Sequence, residues 1–205
     1  MHKDNRQSRF LLDVFLSIFA LVLTAPLWIL VLLILRVESA APVMTRSHRV
    51  GKHGRMVKVW EFRTALAEPD AMETIGGCHG EQVTRVGVIL RRLGIARWPL
   101  LLNVIRGDFS LVGPRVEMPR YVGCYPTEVR KNVLSIKPGL VDLATINFRQ
   151  EAELMTDLSG DELEEVYVEK ILPVRLEYAQ QYVAQQTLWL DFRILVRSLL
   201  RAFSI

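Results

Sequence analysis

Apolar residues crowd one stretch of the chain, Val14 to Leu35, which no charged side chain interrupts. About 20 residues at ~1.5 Å each cover the hydrocarbon core of a bilayer, so the run predicts a membrane helix. Pro26 lies near its middle. It cannot donate to the Val22 carbonyl and its ring pushes on that turn, which predicts a kink there, and Ala25 before it is biased away from helical dihedrals. His2, Lys3, Arg6 and Arg9 precede the run; Arg36, Arg46, Arg49, Lys52, Arg55 and Lys58 follow it. Lys and Arg favour the cytoplasmic side. A helix–break–helix that enters and leaves by one face satisfies both flanks, while a straight spanning helix with a tolerated proline satisfies one. The run is too long for a cleaved signal peptide, and no small-residue cleavage site follows it.

Beyond the run the pattern changes. Met56 to Phe62 alternates roughly, and Gly51-Lys52-His53-Gly54 precedes it, so short strands around a tight turn are predicted between residues 43 and 64. Residues 65–82, with Glu68-Pro69-Asp70 and Gly76-Gly77-Cys78-His79-Gly80, predict a loop. A helical pattern runs from Val83 to Ile105 with interruptions at Gly94 and Pro99, and a turn-rich loop follows from Gly107 to Arg115. Residues 151–185 carry a helical period whose acidic face (Asp161, Glu162, Glu164, Glu165, Glu169) reads as solvated. Near the end, Trp189, Phe192, Val196, Leu199, Leu200 and Phe203 recur at helical spacing, with Arg193, Arg197 and Arg201 on another face. Such a helix fits the plane of a membrane interface, or packing on the domain core. The fold class is α/β: a small mixed helical domain with short strands. The membrane segment covers residues 1–36, and the domain covers 37–205, including the amphipathic helix 187–205.

Size and charge narrow the setting. A 205-residue chain leaves about 165 residues behind the membrane segment, enough for a real core. The net charge of +4 is concentrated in the first hundred residues. It suits an anionic bilayer surface or phosphate-bearing ligands rather than nucleic acid. Cys78 and Cys124 form no CxxC, and the four histidines lack metal-ligand spacing, with His48, His53 and His79 in loops. Neither a zinc site nor a redox pair is indicated, and two reduced thiols in a cytosol-facing domain are expected.

Several collinear segments resemble the bacterial sugar transferases, the monotopic phosphoglycosyl transferases that start glycan assembly. They are Arg9-Phe10-Leu11-Leu12-Asp13, Ala41-Pro42-Val43, Arg49-Val50-Gly51-Lys52-His53-Gly54 and Phe62-Arg63-Thr64. Val83-Thr84-Arg85-Val86-Gly87, Leu90-Arg91-Arg92, Pro99-Leu100-Leu101-Leu102-Asn103-Val104 and Gly107 to Arg115 continue the match. Lys137-Pro138-Gly139-Leu140-Val141-Asp142 and Leu188-Trp189-Leu190-Asp191 close it. The resemblance implies a re-entrant membrane helix broken at Pro26 and headed by Asp13, with Trp189 and Phe192 at the membrane. It also implies a domain on the cytoplasmic face of the inner membrane. Such enzymes move a sugar phosphate from a nucleotide diphospho-sugar to a polyprenyl phosphate with magnesium. An adjacent Asp-Glu pair does the chemistry: the Asp forms an aspartyl phosphate and the Glu helps hold the metal.

This chain departs from that pattern where the chemistry sits. The nucleophile position is Ala96 and the metal-binding position is Arg97. The family's Lys before Phe-Arg is Glu61, its Gln-Glu before Arg-Val-Gly is Ser47-His48, and its Pro-Arg-Pro is Pro114-Arg115-Val116. A methyl cannot attack phosphorus, and a guanidinium repels magnesium. The exchanged signs at Glu61 and Arg97 predict an ion pair. Arg63, Arg85, Arg91 and Arg115 remain at family positions, as do the acidic Asp108, Glu117 and Asp142. Clustered arginines recognise phosphate, so binding of a polyprenyl phosphate, a nucleotide sugar or anionic lipid headgroups is expected. The bland alternative is that these arginines pair with the three acids to hold loops. The resulting expectation is a catalytically degenerate family member in polysaccharide or glycoconjugate synthesis, acting as a binding or partner subunit in a homo- or heterodimer with an active transferase. The rival is a working transferase with a rearranged site, which alone would need magnesium.

Overall fold

The computed structural model describes residues 3–38, 41–65, 83–148, 151–155, 158 and 161–203. Most of the predicted 65–82 loop, with Cys78 and His79, lies outside the described residues. The chain divides into two compact units: Met1–Ser47 with Lys58–Gly107, and His48–Val57 with Asp108–Ile205.

The apolar run forms α1, Lys3–Glu38. Its backbone stays helical through Pro26, which lies inside the helix and not at an end of it. A proline removes one hydrogen bond, while every residue on either side adds one by propagation. The Thr24 hydroxyl also donates to the Ala20 carbonyl at 2.7 Å, within the turn the proline loosens. Ser17, Leu21, Thr24, Trp28, Val31 and Leu35, spaced alternately four and three, form a buried or half-buried seam. α1 packs on α3, Leu100–Ile105, and the Trp28, Val31 and Leu35 end of the seam joins a cluster with Phe62, Leu90 and Ile95. Phe15, Phe19, Val22, Leu23, Ile29 and Leu33, by contrast, are more than half exposed. By length and composition, α1 is able to cross a membrane.

Strands β1 (Met44–Val50) and β2 (Met56–Phe62) form the predicted hairpin. A 3-10 turn at Lys52–Gly54 joins them, with His53 and Gly54 at φ 59° and 78°. The turn end belongs to the second unit and the open end to the first. At the open end Phe62 meets Trp28 edge-on, ring centroids 5.0 Å apart. Both belong to a cluster built on Val31, Leu35, Phe62, Leu90 and Ile95. Helix α2, Arg85–Arg92, starts on Thr84, whose hydroxyl accepts from Gly87 N–H at 2.9 Å. Gly94, at φ 70°, ends the helical stretch, and a 3-10 turn at Ile95–Arg97 leads to α3. Gly87 fits because it has no side chain: a Cβ there would lie 2.1 Å from the Thr64 carbonyl oxygen.

In the second unit, β3 (Ser110–Val112) pairs parallel with β4 (Gly139–Val141), Ser110 opposite Gly139 and Val112 opposite Val141. β3 lies inside the predicted loop Gly107 to Arg115, and β4 in a stretch where the sequence predicts no element. Short helices follow: α4 (Pro119–Gly123), α5 (Thr127–Val133), α6 (Leu143–Asn147), α7 (Glu151–Leu154) and α8 (Asp161–Val166). A π turn at Tyr167–Ile171 leads into α9 (Leu172–Gln185), which packs on α5 and α6. Last comes α10, Leu188–Phe203, packed on α6, β3 and β4. Its Ile194 is buried, while Trp189, Phe192, Leu199 and Leu200 are more than half exposed. One face therefore packs on the unit and the aromatic face looks outward. A Cβ on Gly139 would sit 2.0 Å from the Gly113 nitrogen. Gly139→Ala must push β3 and β4 apart and is expected to destabilise by about 3 kcal/mol, read as an earlier thermal transition of the full-length protein.

Candidate functional site

In the first unit the candidate residues gather around the end of β2. Arg63 N–H donates to the Val43 carbonyl at 3.0 Å, extending the ladder past Phe62. Alternation then turns Glu61 and Arg63 away from the Phe62 side. Glu61 meets Arg97 of the 3-10 turn, Oε1 to Nε 3.9 Å. The pair predicted from the exchanged signs is present. Arg97 is about half exposed, so the contact contributes at most about 1 kcal/mol to stability. Ala96, beside it, packs against the apolar cluster around Phe62. Arg91 Nε donates to Thr64 Oγ1 at 2.7 Å, and Thr84 N–H donates to the Thr64 carbonyl at 3.0 Å. The Arg63 side chain is buried, at 5% exposure, and its Nε and Nη2 have no hydrogen-bond partner. Arg85 is exposed on α2.

The second unit holds Asp108, Arg115, Glu117 and Asp142. Arg115 Nε lies 3.3 Å from Glu117 Oε1, to which the Tyr167 hydroxyl also donates at 2.7 Å. Asp142 pairs instead with Arg175 of α9, Oδ2 to Nη1 3.1 Å, and caps α6 by accepting from Thr145 N–H at 2.5 Å. The other Nη of Arg175 donates to Glu151. Glu117, Asp142 and Arg175 are each at most 7% exposed. Burial works against the Arg115 charge, but Glu117, with Tyr167, Asp142 and Glu151, outweighs it and raises the pKa above its ordinary value. Burial, reinforced by Glu117, raises the Tyr125 and Tyr167 phenols well above theirs. A small cavity beside Pro114 opens onto Arg115, Glu117, Tyr125, Asp142 and Arg175.

Comparison with known proteins decides the family. The model of the family described as bacterial sugar transferase matches residues 5–204. The chain belongs to the bacterial sugar transferases. A UDP-glucose:undecaprenyl-phosphate glucose-1-phosphate transferase of Escherichia coli (strain K12) is 30% identical over 93% of this chain and 39% of its own length. The corresponding protein of Caulobacter vibrioides is 32% identical over 91% of this chain and 66% of its own. The uncharacterized sugar transferase EpsL of Bacillus subtilis is 35% identical over 68% of each chain. This sugar transferase chain thus spans about two-fifths of the length of the Escherichia coli relative.

Against that family background the donor set matters. Magnesium takes oxygen ligands and is usually held by one or two carboxylates together with substrate phosphates. Arg97 stands where the resemblance implies a metal-binding carboxylate, and the carboxylate beside it, Glu61, is engaged with Arg97. Among the described residues no group of three or more His, Cys, Asp or Glu is arranged to hold a metal ion. Among the described residues, those around Ala96 do not offer the set of oxygen ligands that magnesium takes. In the second unit, Arg115 and Asp142 serve a buried ion-pair network, closer to the loop-holding alternative than to a ligand site. Asp108 is half-buried and interacts with its surroundings. Sequence reasoning missed Arg175, Glu151 and Tyr167. The available signal was an arginine at position 175 among apolar helical positions (Leu172, Val174 and Leu176).

Proposed function

We propose that this chain is a membrane-docked sugar transferase homologue that binds a phosphate-bearing substrate of polysaccharide or glycoconjugate assembly without transferring the sugar phosphate. Its setting is the cytoplasmic face of the inner membrane, where it acts as a binding or partner subunit beside an active transferase. The Glu61–Arg97 pair at 3.9 Å carries this reading. It stands, with reversed polarity, at the positions of the family's lysine and metal-binding carboxylate, beside Ala96 at the nucleophile position. Arg63 and Arg91 at the same strand end supply charge for an oxyanion. The names of the relatives point to undecaprenyl phosphate and UDP-sugars as the substrate class.

Membrane docking rests on the exposed apolar faces of α1 and α10 and on the basic residues at both ends of α1. Both ends then face the cytoplasm, with α1 bent at Pro26, where the backbone hydrogen bond to Val22 is lost, so that it dips into one leaflet. Single cysteines introduced as Gln7→Cys and Val37→Cys, with Cys78 and Cys124 replaced by serine, are expected to react equally with an impermeant thiol reagent added from the cytoplasmic side. Labelling of only one of them from that side identifies a spanning helix.

Function itself is tested by two readings on one nanodisc sample: retention of polyprenyl phosphate and release of nucleoside monophosphate from nucleotide diphospho-sugars. Retention without release is the expected result. Release that Glu61→Gln abolishes identifies a rearranged active site.

A further inference from the structure

We infer that the arginine cluster at the end of β2 takes a phosphate oxyanion without any divalent cation, with Arg97 supplying the positive charge that magnesium supplies in the family. This inference rests on the phosphate-binding reading above and specifies its chemistry. Arg63 is the first ground. A guanidinium at 5% exposure with Nε and Nη2 unpartnered is a buried charge awaiting an acceptor, and such a charge is costly unless an anion meets it. The second ground is the charge balance. Among the described residues, one carboxylate, Glu61, is met there by Arg97 at 3.9 Å and shares its side of the chain with Arg63, two guanidiniums to one carboxylate. A phosphate monoester or diphosphate fits that excess, because planar guanidinium forks match its oxygens two at a time. The third is the metal site itself. A cation beside Arg97 meets repulsion, and Glu61 is drawn to Arg97. Arginine has replaced both the metal and one of its carboxylate ligands.

The test uses the full-length protein in nanodiscs of zwitterionic phosphatidylcholine. Two probes separate the sources of phosphate: polyprenyl phosphate placed in the disc, and UDP added in solution. Each is titrated with magnesium and with EDTA. For the native chain the affinity for the bound probe is expected to change by less than about 2-fold between the two conditions. Arg97→Gln is expected to weaken binding by about 10–100-fold, the loss of one charge-assisted contact. Arg97→Lys is expected to keep most of the affinity, and Arg97→Glu to make binding require magnesium. Native binding that appears only with magnesium overturns the inference while leaving phosphate binding standing. No binding of either probe in either condition overturns both. If the Arg97 variants melt early, the native comparison of magnesium with EDTA decides alone.

Discussion

Arg175→Ala is expected to cost about 3–5 kcal/mol of stability, the largest loss from any single side chain in the second unit. Arg175 is 6% exposed and ties α9 to Asp142 and to Glu151. Removing it strands two carboxylates in a poorly hydrated place, and one of them caps α6. The penalty comes from those orphaned charges more than from the lost contacts. Arg175→Lys is expected to recover part of the loss, since an ammonium can reach one carboxylate but lacks the planar fork that serves both. Thermal melts of the full-length protein in nanodiscs check this, with a fall of about 10 °C expected for alanine. A fall as small as that of an exposed substitution such as Arg85→Ala would show that the network does not hold the unit together.

The second large effect concerns chemistry. Ala96→Asp/Arg97→Glu restores the family residues at the two positions, yet this double variant is expected to stay nearly inert. With Arg97 gone, the Glu61 carboxylate is left facing the carboxylate introduced at that position, and like charges at that range disfavour one another's ionised forms. A diphosphate would add further negative charge. Adding Glu61→Lys removes the conflict and restores the polarity of the family's arrangement. The triple variant is therefore expected to release nucleoside monophosphate at least about 10³-fold faster than the native chain, in keeping with the usual cost of a missing covalent nucleophile. Steady-state release with magnesium and polyprenyl phosphate checks it. Equal rates for the double and triple variants would show that Glu61 does not control the site.

What the sequence disclosed follows the range of the interactions involved. The helix of Lys3–Glu38, the hairpin about Gly51–Gly54 and the outward aromatic face of α10 are local patterns, and each was legible from period and turn chemistry. The Glu61–Arg97 pair was legible too, because both positions reversed sign against the family pattern. Pro26 lies inside α1, since one missing hydrogen bond does not end a helix whose neighbours propagate. β3 and β4 have three residues each, too few to show an alternation, and their parallel pairing joins segments 29 residues apart (Ser110 to Gly139). Arg175 was hidden for a related reason. A charge at helical spacing reads as solvated until Asp142 and Glu151 are brought to it by the fold. The acidic face of α8, by contrast, is largely solvated as read, with Glu164 reaching Arg120 at 3.3 Å.

The most direct measurement of the central claim is a single-turnover assay. The native full-length chain in nanodiscs is mixed with a nucleotide diphospho-sugar and magnesium before any polyprenyl phosphate is added. An enzyme that forms a phospho-intermediate releases nucleoside monophosphate in a burst equal to its own amount. For this chain, with Ala96 at the nucleophile position and Glu61 paired to Arg97, no burst is predicted, although the membrane-bound protein retains polyprenyl phosphate. A stoichiometric burst would contradict the account and turn attention to Glu61 as the group that attacks.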